Sequence, residues 1–387
     1  MPYDIAIVGA GASGLAAGIA AGRLGAHVIL LERMPRAGKK ILATGNGRCN
    51  LGNRNAPEHA YHNREFAAHA LKTFMGCESF FDSLGLAVQE DGEGRLYPRP
   101  NMAASALDAL RFGAARAGCE IRCDCPVTGI EPVDGGFLIN KNIAARRVIV
   151  AAGGCAAPGQ GSDGSGFSLL RSLGHSIIEP KPALVQIKCD SPLLPMLKGL
   201  RVHAGIKIER GGQVLRRAEG EVLFAGDGLS GIAAMEVSRD AQSGSTAVLD
   251  LLPEYTHEKL AALLSRWQGF GDLSGLLPGR VAQAVAKGSG DPKNFTFEVT
   301  GTRGFGHAQV TAGGADVRAF DPETMASFIA PGLYACGEAL DVDGGCGGFN
   351  LHWAWASGIL AGQSAASAPR NHPGAGRFLW ETSATPS

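Results

Sequence analysis

The sequence predicts an α/β fold in which both ends of the chain build one parallel sheet and an insert lies between them. Strand and helix patterns alternate from residue 1 to about 180, as they do in a parallel sheet with helices on both faces. From about 181 the pattern changes to short runs separated by turns such as Gly211-Gly212, which indicates antiparallel strands. A strand and a long helix pattern then close the chain, so the parallel sheet is expected to be discontinuous in sequence.

The composition argues against several classes of protein. Lys and Arg total 36 and Asp and Glu total 36, so the net charge is zero and nothing favours binding to nucleic acid or an anionic membrane. No apolar run reaches about 18 residues, the length that a membrane-spanning helix requires. The first strand begins at the N-terminus and leaves no space for a signal peptide, so we expect a cytoplasmic protein.

The first βαβ unit, residues 4–32, is the most specific feature. An apolar strand leads directly into the motif G-x-G-x-x-G formed by Gly9, Gly11 and Gly14, and a helix and a second strand ending on Glu32 follow. This is the context of a dinucleotide-binding unit. Gly9 makes the tight turn, Gly11 lets a pyrophosphate approach the helix N-terminus, and Gly14 allows close helix packing. Glu32 is expected to bind ribose hydroxyls.

The remaining elements follow in order. Residues 102–117 have a helix pattern with Leu107 and Leu110 on one face, 146–154 form a buried strand, and 159–166 form a glycine-rich loop. Strands are then predicted at 183–189, 202–209, 213–216, 220–225, 294–300 and 308–312, with a helical stretch at 256–288. A core strand at 332–338 and a helix at 348–362 complete the pattern.

These elements predict four regions. A discontinuous nucleotide-binding domain spans 1–180 and 305–365, and a strand-rich insert spans 181–250 and 290–304. A helical subdomain covers 251–289, and the tail 366–387, rich in Ala, Ser, Pro and Gly, is expected to be mobile.

The number of dinucleotide motifs distinguishes between cofactors. The chain carries one fingerprint, whereas a flavoenzyme with its own pyridine-nucleotide domain usually shows a second one further along. The strand at Val148–Gly153 and the late strand end at Gly337-Glu338 fit an FAD molecule extended across the sheet. The sequence therefore predicts non-covalent FAD and, if the substrate is reduced, NAD(P)H as a transient electron donor.

Four strings carry a resemblance to a known family: GKKILATGNGRCN at 38–50, AQVTAGG at 308–314, PGLYACGEALDVDG at 331–344 and GGFNLHWAW at 347–355. With them the chain resembles the HI0933-like (YhiN-type) flavoproteins, which are named NAD(P)/FAD-dependent oxidoreductases or aminoacetone oxidases. The resemblance implies a Rossmann-like FAD-binding domain, an inserted β-barrel-like domain and a small helical cap.

One segment departs from the family pattern. The family usually has Thr, then His or Asp, an aromatic residue and Gly-x-Ser-Gly-Pro in the insert. Residues 224–232 read FAGDGLSGI, without the Thr and the Pro and with Asp227 shifted by one place. In the family this segment resembles part of the substrate-binding region. Because it differs here, the motif does not predict that this chain has the same substrate as its relatives.

Two segments are predicted to contact the flavin. The loop 38–50 is either a structural turn or a loop along FAD, with Lys40 and Arg48 as donors near the pyrophosphate or ribityl chain. As in related FAD enzymes, Glu338 is expected to bind the ribityl chain, and the helix after Gly348 to direct its free N–H groups at flavin N1 and C2=O. The predicted cofactor-binding residues are Gly9, Gly11, Ala12, Ser13, Gly14, Glu32, Arg33, Lys40, Gly45, Asn46, Arg48, Cys49, Asn50, Val127, Ala152, Gly153, Gly337, Glu338, Asp341, Gly348, Phe349, Asn350 and Leu351.

Three side chains are candidates for a position beside the reacting atoms. Thr311 either faces the flavin or belongs to a turn before Gly313. His352 is either an active-site acid or a polar filler, at a position where the family usually has Gln. Asn350 lies in the first turn of the closing helix.

Other side chains have two interpretations each. Trp353 and Trp355 either pack in the core or form a pocket wall, and Tyr97 is either a core residue or part of a substrate lid. Asp341 and Asp343 lie in a glycine loop that lacks the fuller spacing of a calcium site, so we favour FAD positioning by Asp341 or a structural role.

The nine cysteines do not form a disulfide framework, because their count is odd and their spacing irregular. Cys119, Cys123 and Cys125 cluster without a second cluster or a His pair, so reduced thiols are expected and no metal site. Cys49 lacks the second cysteine that dithiol chemistry beside a flavin requires.

The predicted function is an FAD-dependent oxidoreductase that exchanges a hydride between flavin N5 and a small organic substrate. NAD(P)H-linked reduction of a conjugated carbonyl or similar acceptor is favoured. Oxidation of a small amine or amino ketone by oxygen is the alternative reaction, and a non-catalytic flavin-binding redox sensor is the alternative from another class. The sequence leaves the oligomeric state open.

Overall fold

The computed structural model describes residues 2–267 and 273–369, and within these ranges the chain forms two compact units. Residues up to Pro180 together with those from Thr311 onward form unit 1, and Lys181–Val310 form unit 2. The closing helix extends to Ser367, and most of the predicted tail, from residue 370, lies outside the described residues. No helix in the described ranges is long and apolar enough to cross a membrane.

Unit 1 is built around a mainly parallel sheet with the order β6-β2-β1-β9-β8-β7, and β18 pairs in parallel with β9. The apolar runs of β1, β2 and β9 are almost entirely buried, which is what a sheet covered on both faces requires. The strands are β1 (Tyr3–Val8), β2 (Val28–Leu31), β6 (Glu120–Arg122), β7 (Ile130–Val133), β8 (Gly136–Ile139), β9 (Ile143–Val150) and β18 (Leu333–Ala335). A separate small sheet consists of β3 (Gly52–Asn53), β5 (Arg95–Pro98) and β4 (Val88–Glu90).

Helices cover the sheet of unit 1, and two of them pack unusually closely. A Cβ at Gly358 would lie 2.4 Å from the carbonyl oxygen of Ser13, and one at Gly362 would lie 2.2 Å from that of Ala17. The glycines therefore let the last helix approach the first one backbone to backbone. The helices are α1 (Ala12–Arg23), α2 (Arg64–Thr73), α3 (Gly76–Asp82), α4 (Ala103–Arg116), α5 (Ser165–Ser172) and α10 (Phe349–Ser367).

Unit 2 contains a closed six-stranded antiparallel barrel with the order β11-β14-β13-β12-β15-β16. Inward residues alternate along its strands, and Ile206, Phe224, Phe297 and Val299 are among those buried inside. The strands are β11 (Ile187–Asp190), β12 (Arg201–Arg210), β13 (Gln213–Ala225), β14 (Gly228–Ser230), β15 (Ser245–Asp250) and β16 (Phe295–Thr302), and the helices are α6 (Leu194–Leu197), α7 (Ile232–Val237), α8 (His257–Arg266) and α9 (Gly279–Lys287).

The described helices of the 251–289 region share a buried cluster with the barrel. Leu260 on α8 and Val281 and Val285 on α9 belong to the same buried cluster as the barrel strands. The remaining strands, β10 (Ile177–Ala183) and β17 (Val310–Ala315), pair with each other, and each contains a boundary between the units.

The structure differs from the predicted strands at one hairpin. The sequence predicts separate strands at 213–216 and 220–225, whereas β13 is continuous across Gly220. The reason is its partner, since β12 pairs with β13 from Arg201↔Leu223 to Arg210↔Gln213 and supplies hydrogen bonds along the whole length. The α/β class with a barrel and several helices is confirmed.

Candidate functional site

The predicted site residues of unit 1 gather because four parallel strands end at one edge of the sheet. Val8 of β1 pairs with Leu31 of β2 and with Val150 of β9, and Ala335 of β18 also pairs with Val150. The loops that follow these strands carry the glycine motif, Glu32, the 151–156 segment and Glu338. Ligands of open α/β sheets bind at this edge.

In the glycine turn after β1, two glycines are required by close backbone packing and a third borders open space. Gly9 has φ +99°, and a Cβ there would lie 2.6 Å from the carbonyl oxygen of Ala151; a Cβ at Gly14 would lie 2.0 Å from the carbonyl oxygen of Gly9. By contrast, a Cβ at Gly11 would meet no atom within 4 Å. The helix begins at Ala12 without a side-chain cap, so its first N–H groups and the open space at Gly11 fit a pyrophosphate.

Glu32 is buried and its carboxylate is already bound by the backbone. One oxygen accepts from Ala10 N at 2.9 Å and the other from Met34 N at 2.9 Å. The carboxylate therefore ties the end of β2 to the glycine turn. Each oxygen can accept a further hydrogen bond, which leaves capacity for ribose hydroxyls. Beside it, Arg33 forms an ion pair with Asp163.

A partly buried network joins the remaining strand ends. Glu338 accepts from Lys40 Nζ at 2.9 Å with one oxygen and from Thr311 N at 2.7 Å with the other. The Thr311 hydroxyl accepts from Cys155 N at 2.7 Å and Ala156 N at 3.0 Å. Thr311 lies in strand β17 rather than in a turn, and its hydroxyl fixes the loop after β9. Lys40 and Glu338 would hold the middle of an extended FAD.

The start of α10 is shaped by glycine and asparagine. Gly348 has φ +95°, and a Cβ there would lie 2.5 Å from the Asn50 side-chain amide and from the carbonyl oxygen of Gly52. The Asn350 side chain accepts from Gly344 N at 2.9 Å and donates to Gly344 O at 2.8 Å, so it holds the preceding loop. The N–H groups of the first turn, which begins at Phe349, have no intrahelical partner and can stabilise negative charge.

Asp341 provides a direct test of whether a ligand fits here. It is 6 % exposed, and its Oδ2 accepts from Asn63 Nδ2 at 3.1 Å and lies 3.4 Å from His62 Nε2. Its Oδ1 is buried and has no hydrogen-bond partner within the described residues. A buried carboxylate oxygen without a donor is costly, and a hydroxyl of FAD would satisfy it. Asn63 and His62 carry no local sequence signal, because no local pattern marks residues that contact a carboxylate so far along the chain; Asn63 lies 278 positions from Asp341.

His352 and the two tryptophans of α10 lie in the core. Burial lowers the pKa of His352 to about 4, so its imidazole is neutral near pH 7, which favours the interpretation as a polar core residue. Its Nδ1 lies 3.8 Å from Cys77 Sγ. Trp353 and Trp355 are 2 % and 0 % exposed and donate to the carbonyl oxygens of Gly337 and Leu51. Both tryptophans therefore act as packing residues that anchor neighbouring loops.

Other predicted residues occupy distinct positions. Cys49 is fully buried, and burial raises its thiol pKa to about 11, so it is not a nucleophilic thiolate. Tyr97 is 6 % exposed, and the Arg48 guanidinium lies 4.7 Å from its ring centroid. Val127 packs against the core of unit 1 after β6. No group of three or more potential metal ligands occurs in the described ranges.

Comparison with known proteins identifies the family. The sequence model for the HI0933-like protein Rossmann domain matches residues 3–364. The chain belongs to the HI0933-like family. The predicted resemblance is confirmed, and the chain is an FAD-dependent oxidoreductase.

The HI0933-like chain also aligns with curated relatives over nearly its whole length. It is 37% identical to the 3-dehydro-bile acid delta(4,6)-reductase of Clostridium scindens, over 94% of this chain and 99% of the relative. It is 29% identical to the ribosomal RNA dihydrouridine synthase of Escherichia coli K12, over 93% and 97%. Among solved structures, 3-ketosteroid-delta4-(5alpha)-dehydrogenase from Rhodococcus jostii RHA1 shares the fold, with a TM-score of 0.50 at 17% identity, covering 95% of this chain and 97% of that one.

Proposed function

We propose that this HI0933-like protein uses NAD(P)H to reduce a carbon–carbon double bond conjugated to a carbonyl group in a small organic molecule. The observation that carries the proposal is the full-length similarity to a delta(4,6)-reductase, together with a second relative named for making dihydrouridine. Both names denote the addition of hydrogen to a carbon–carbon double bond. The substrate of this chain need not be either of theirs.

The site residues suit this reaction. When bound, FAD supplies a hydride acceptor and donor at N5. Open space at Gly11 and the start of α1 would receive the pyrophosphate, Lys40 and Glu338 the ribityl region, and Asp341 Oδ1 a hydroxyl donor. The N–H groups at the start of α10 would stabilise negative charge at the pyrimidine end.

The overall reaction balances without another redox partner. NAD(P)H gives a hydride, the solvent gives a proton, and the double bond becomes a single bond with two new C–H bonds. Negative charge develops on the carbonyl oxygen when the hydride reaches the β-carbon, so the enzyme needs a donor for that oxygen. With only one dinucleotide motif in the sequence, NAD(P)H and the substrate would use the same flavin face in turn.

The test is anaerobic rapid mixing of the FAD-loaded protein. NADH or NADPH should bleach the flavin at a catalytic rate, and an α,β-unsaturated ketone should then restore the oxidised spectrum. The saturated ketone of the same carbon skeleton is the control and should leave the flavin reduced. Peroxide formation from an amine without pyridine nucleotide would contradict the proposal and favour an oxidase.

A further inference from the structure

Arg48 is a cation on a highly constrained turn. It is exposed, and no carboxylate within residues 2–267 and 273–369 forms an ion pair with it. Its guanidinium lies 4.7 Å from the centroid of the Tyr97 ring, and Tyr97 is itself 6 % exposed. The ring is thus a fixed platform that holds the guanidinium by a cation–π contact while the N–H donors stay free.

The turn that carries Arg48 has a strained backbone. Gly45, Asn46, Gly47 and Cys49 all have φ between +55° and +82°. Left-handed backbone costs energy at the non-glycine positions, and such strain is concentrated at functional sites. Cys49 is fully buried and donates from its N–H to Thr44 O at 3.0 Å, so the turn is anchored next to the exposed arginine.

The position of the turn is set by its neighbours. The Asn50 amide lies 3.1 Å from Gly348 N and 2.8 Å from Gly52 O, which fixes the turn to the start of α10. Leu51 N donates to Leu96 O at 2.7 Å, which brings Tyr97 of β5 alongside. Arg48 therefore lies at the same end of α10 as the free helix N–H groups.

This end of α10 is remote from the pyrophosphate position. Ser13, in the first turn of α1, contacts Gly358, nine residues after Phe349. Nine residues of helix span about 14 Å. The turn of Arg48 contacts the opposite end of that span, through Asn50 and Gly348, so the geometry separates Arg48 from the glycine turn that fits the FAD phosphates.

We propose that Arg48, held on Tyr97, binds the negatively charged oxygen of the substrate. The ligand class is an oxyanion, either the carbonyl oxygen on which charge develops during hydride transfer or a carboxylate carried by the substrate. The guanidinium of arginine is always charged and donates several strong hydrogen bonds in a fixed geometry, which suits both kinds of oxygen. This inference rests on the proposed function and adds the substrate group that the site recognises.

The test uses para-substituted phenolates as oxyanion probes for the FAD-loaded protein. Binding is followed by the change in the flavin absorption spectrum, and the phenol series gives the pKa of the bound phenol. In the wild type that pKa should fall, because the oxyanion is stabilised. Arg48→Met should weaken phenolate binding about 10- to 100-fold, as expected for loss of a charged hydrogen bond, and abolish the pKa shift. Arg48→Lys should retain part of both effects.

Three controls separate this role from others. Arg116→Met removes another arginine that lies over an aromatic ring, Phe112, and should leave phenolate binding unchanged. Tyr97→Leu removes the platform; it should lower kcat if Arg48 stabilises the developing charge on the carbonyl oxygen, and raise the KM if Arg48 holds a substrate carboxylate. The sequence predicts Arg48 as an FAD contact, and that assignment would give a loss of FAD affinity in Arg48→Met. The inferred substrate contact predicts instead an FAD affinity within about threefold of the wild type.

Two results would overturn the inference: phenolate binding that is unchanged in Arg48→Met, or a loss of FAD affinity that accounts for the whole effect. Neutral and carboxylated enones then distinguish the two oxyanions. If Arg48→Met reduces activity with both enones, the bound group is the carbonyl oxygen. If it reduces activity with the carboxylated enone alone, the bound group is the carboxylate. Phenolate binding could depend on Arg48 while no enone reoxidises the reduced flavin. That result would disprove the reductase reaction but would still support the oxyanion site.

Discussion

Replacing Thr311 by valine tests the network that links the strand ends of unit 1. The hydroxyl accepts from Cys155 N at 2.7 Å and Ala156 N at 3.0 Å, and Thr311 is 1 % exposed. Valine has nearly the same shape but no acceptor, so two N–H groups would lose their partner. Water has little access, because Ala156 is fully buried.

The magnitude follows from the two orphaned donors. A buried polar group without a partner costs about 1–3 kcal/mol, and partial relaxation of the loop reduces the sum, so we expect Thr311→Val to lose about 2–4 kcal/mol of unfolding free energy. Thr311→Ser keeps the acceptor and loses one buried methyl group, which costs about 0.5–1.5 kcal/mol. Valine should therefore be the more damaging substitution, although it is the closer match in shape.

The assay is urea unfolding of both variants and the wild type with saturating FAD, followed by circular dichroism. FAD titration of the deflavinated proteins is the second measurement, and Thr311→Val should bind more weakly because the loop after β9 borders the site. If Thr311→Val is as stable as Thr311→Ser or more so, the hydroxyl does not hold the loop and the reasoning fails.

Three further predictions concern packing, pH and the adenosine half of the site. Gly362→Ala places a Cβ 2.2 Å from a backbone oxygen of α1 and should lower the unfolding free energy, measured in urea, by about 1–3 kcal/mol. The control Gly279→Ala adds a Cβ that meets no atom within 4 Å, so it should be neutral or stabilising. Equal effects of the two substitutions would contradict the close packing of α10 on α1. Because burial lowers the pKa of His352 to about 4, the unfolded chain binds this proton near pH 6.5 while the folded chain does not; stability should be full above pH 6.5 and fall by up to about 3 kcal/mol between pH 6.5 and 4. The slope of unfolding free energy against pH should flatten in His352→Gln, and an unchanged slope would refute the assignment. Glu32→Ala should lower FAD affinity by about 1–3 kcal/mol and also destabilise the apoprotein, since Ala10 N and Met34 N lose their acceptor, while Glu32→Gln should be milder in both measurements. Wild-type FAD affinity in Glu32→Ala would show that the adenosine half lies elsewhere.

The sequence by itself determined the parts of this protein that depend on neighbours in the chain. The βαβ fingerprint at 4–32 determined the turn at Gly9 and the start of α1, because a strand, a glycine turn and a helix in that order have few alternatives. The strings around 38–50 and 331–355 determined the family. The short strands separated by turns also indicated that the insert forms antiparallel structure, distinct from the parallel sheet.

The tertiary structure decided the roles of residues whose partners lie far away in sequence. Thr311 had two open interpretations until the fold placed its hydroxyl on backbone groups 155 and 156 positions earlier. Glu32 gained two backbone donors, and His352 became neutral, because burial and hydrogen bonding are properties of packed surroundings rather than of local pattern. The close approach of Gly358 to Ser13 depends on two helices more than 300 residues apart, and no periodicity within either helix encodes that contact.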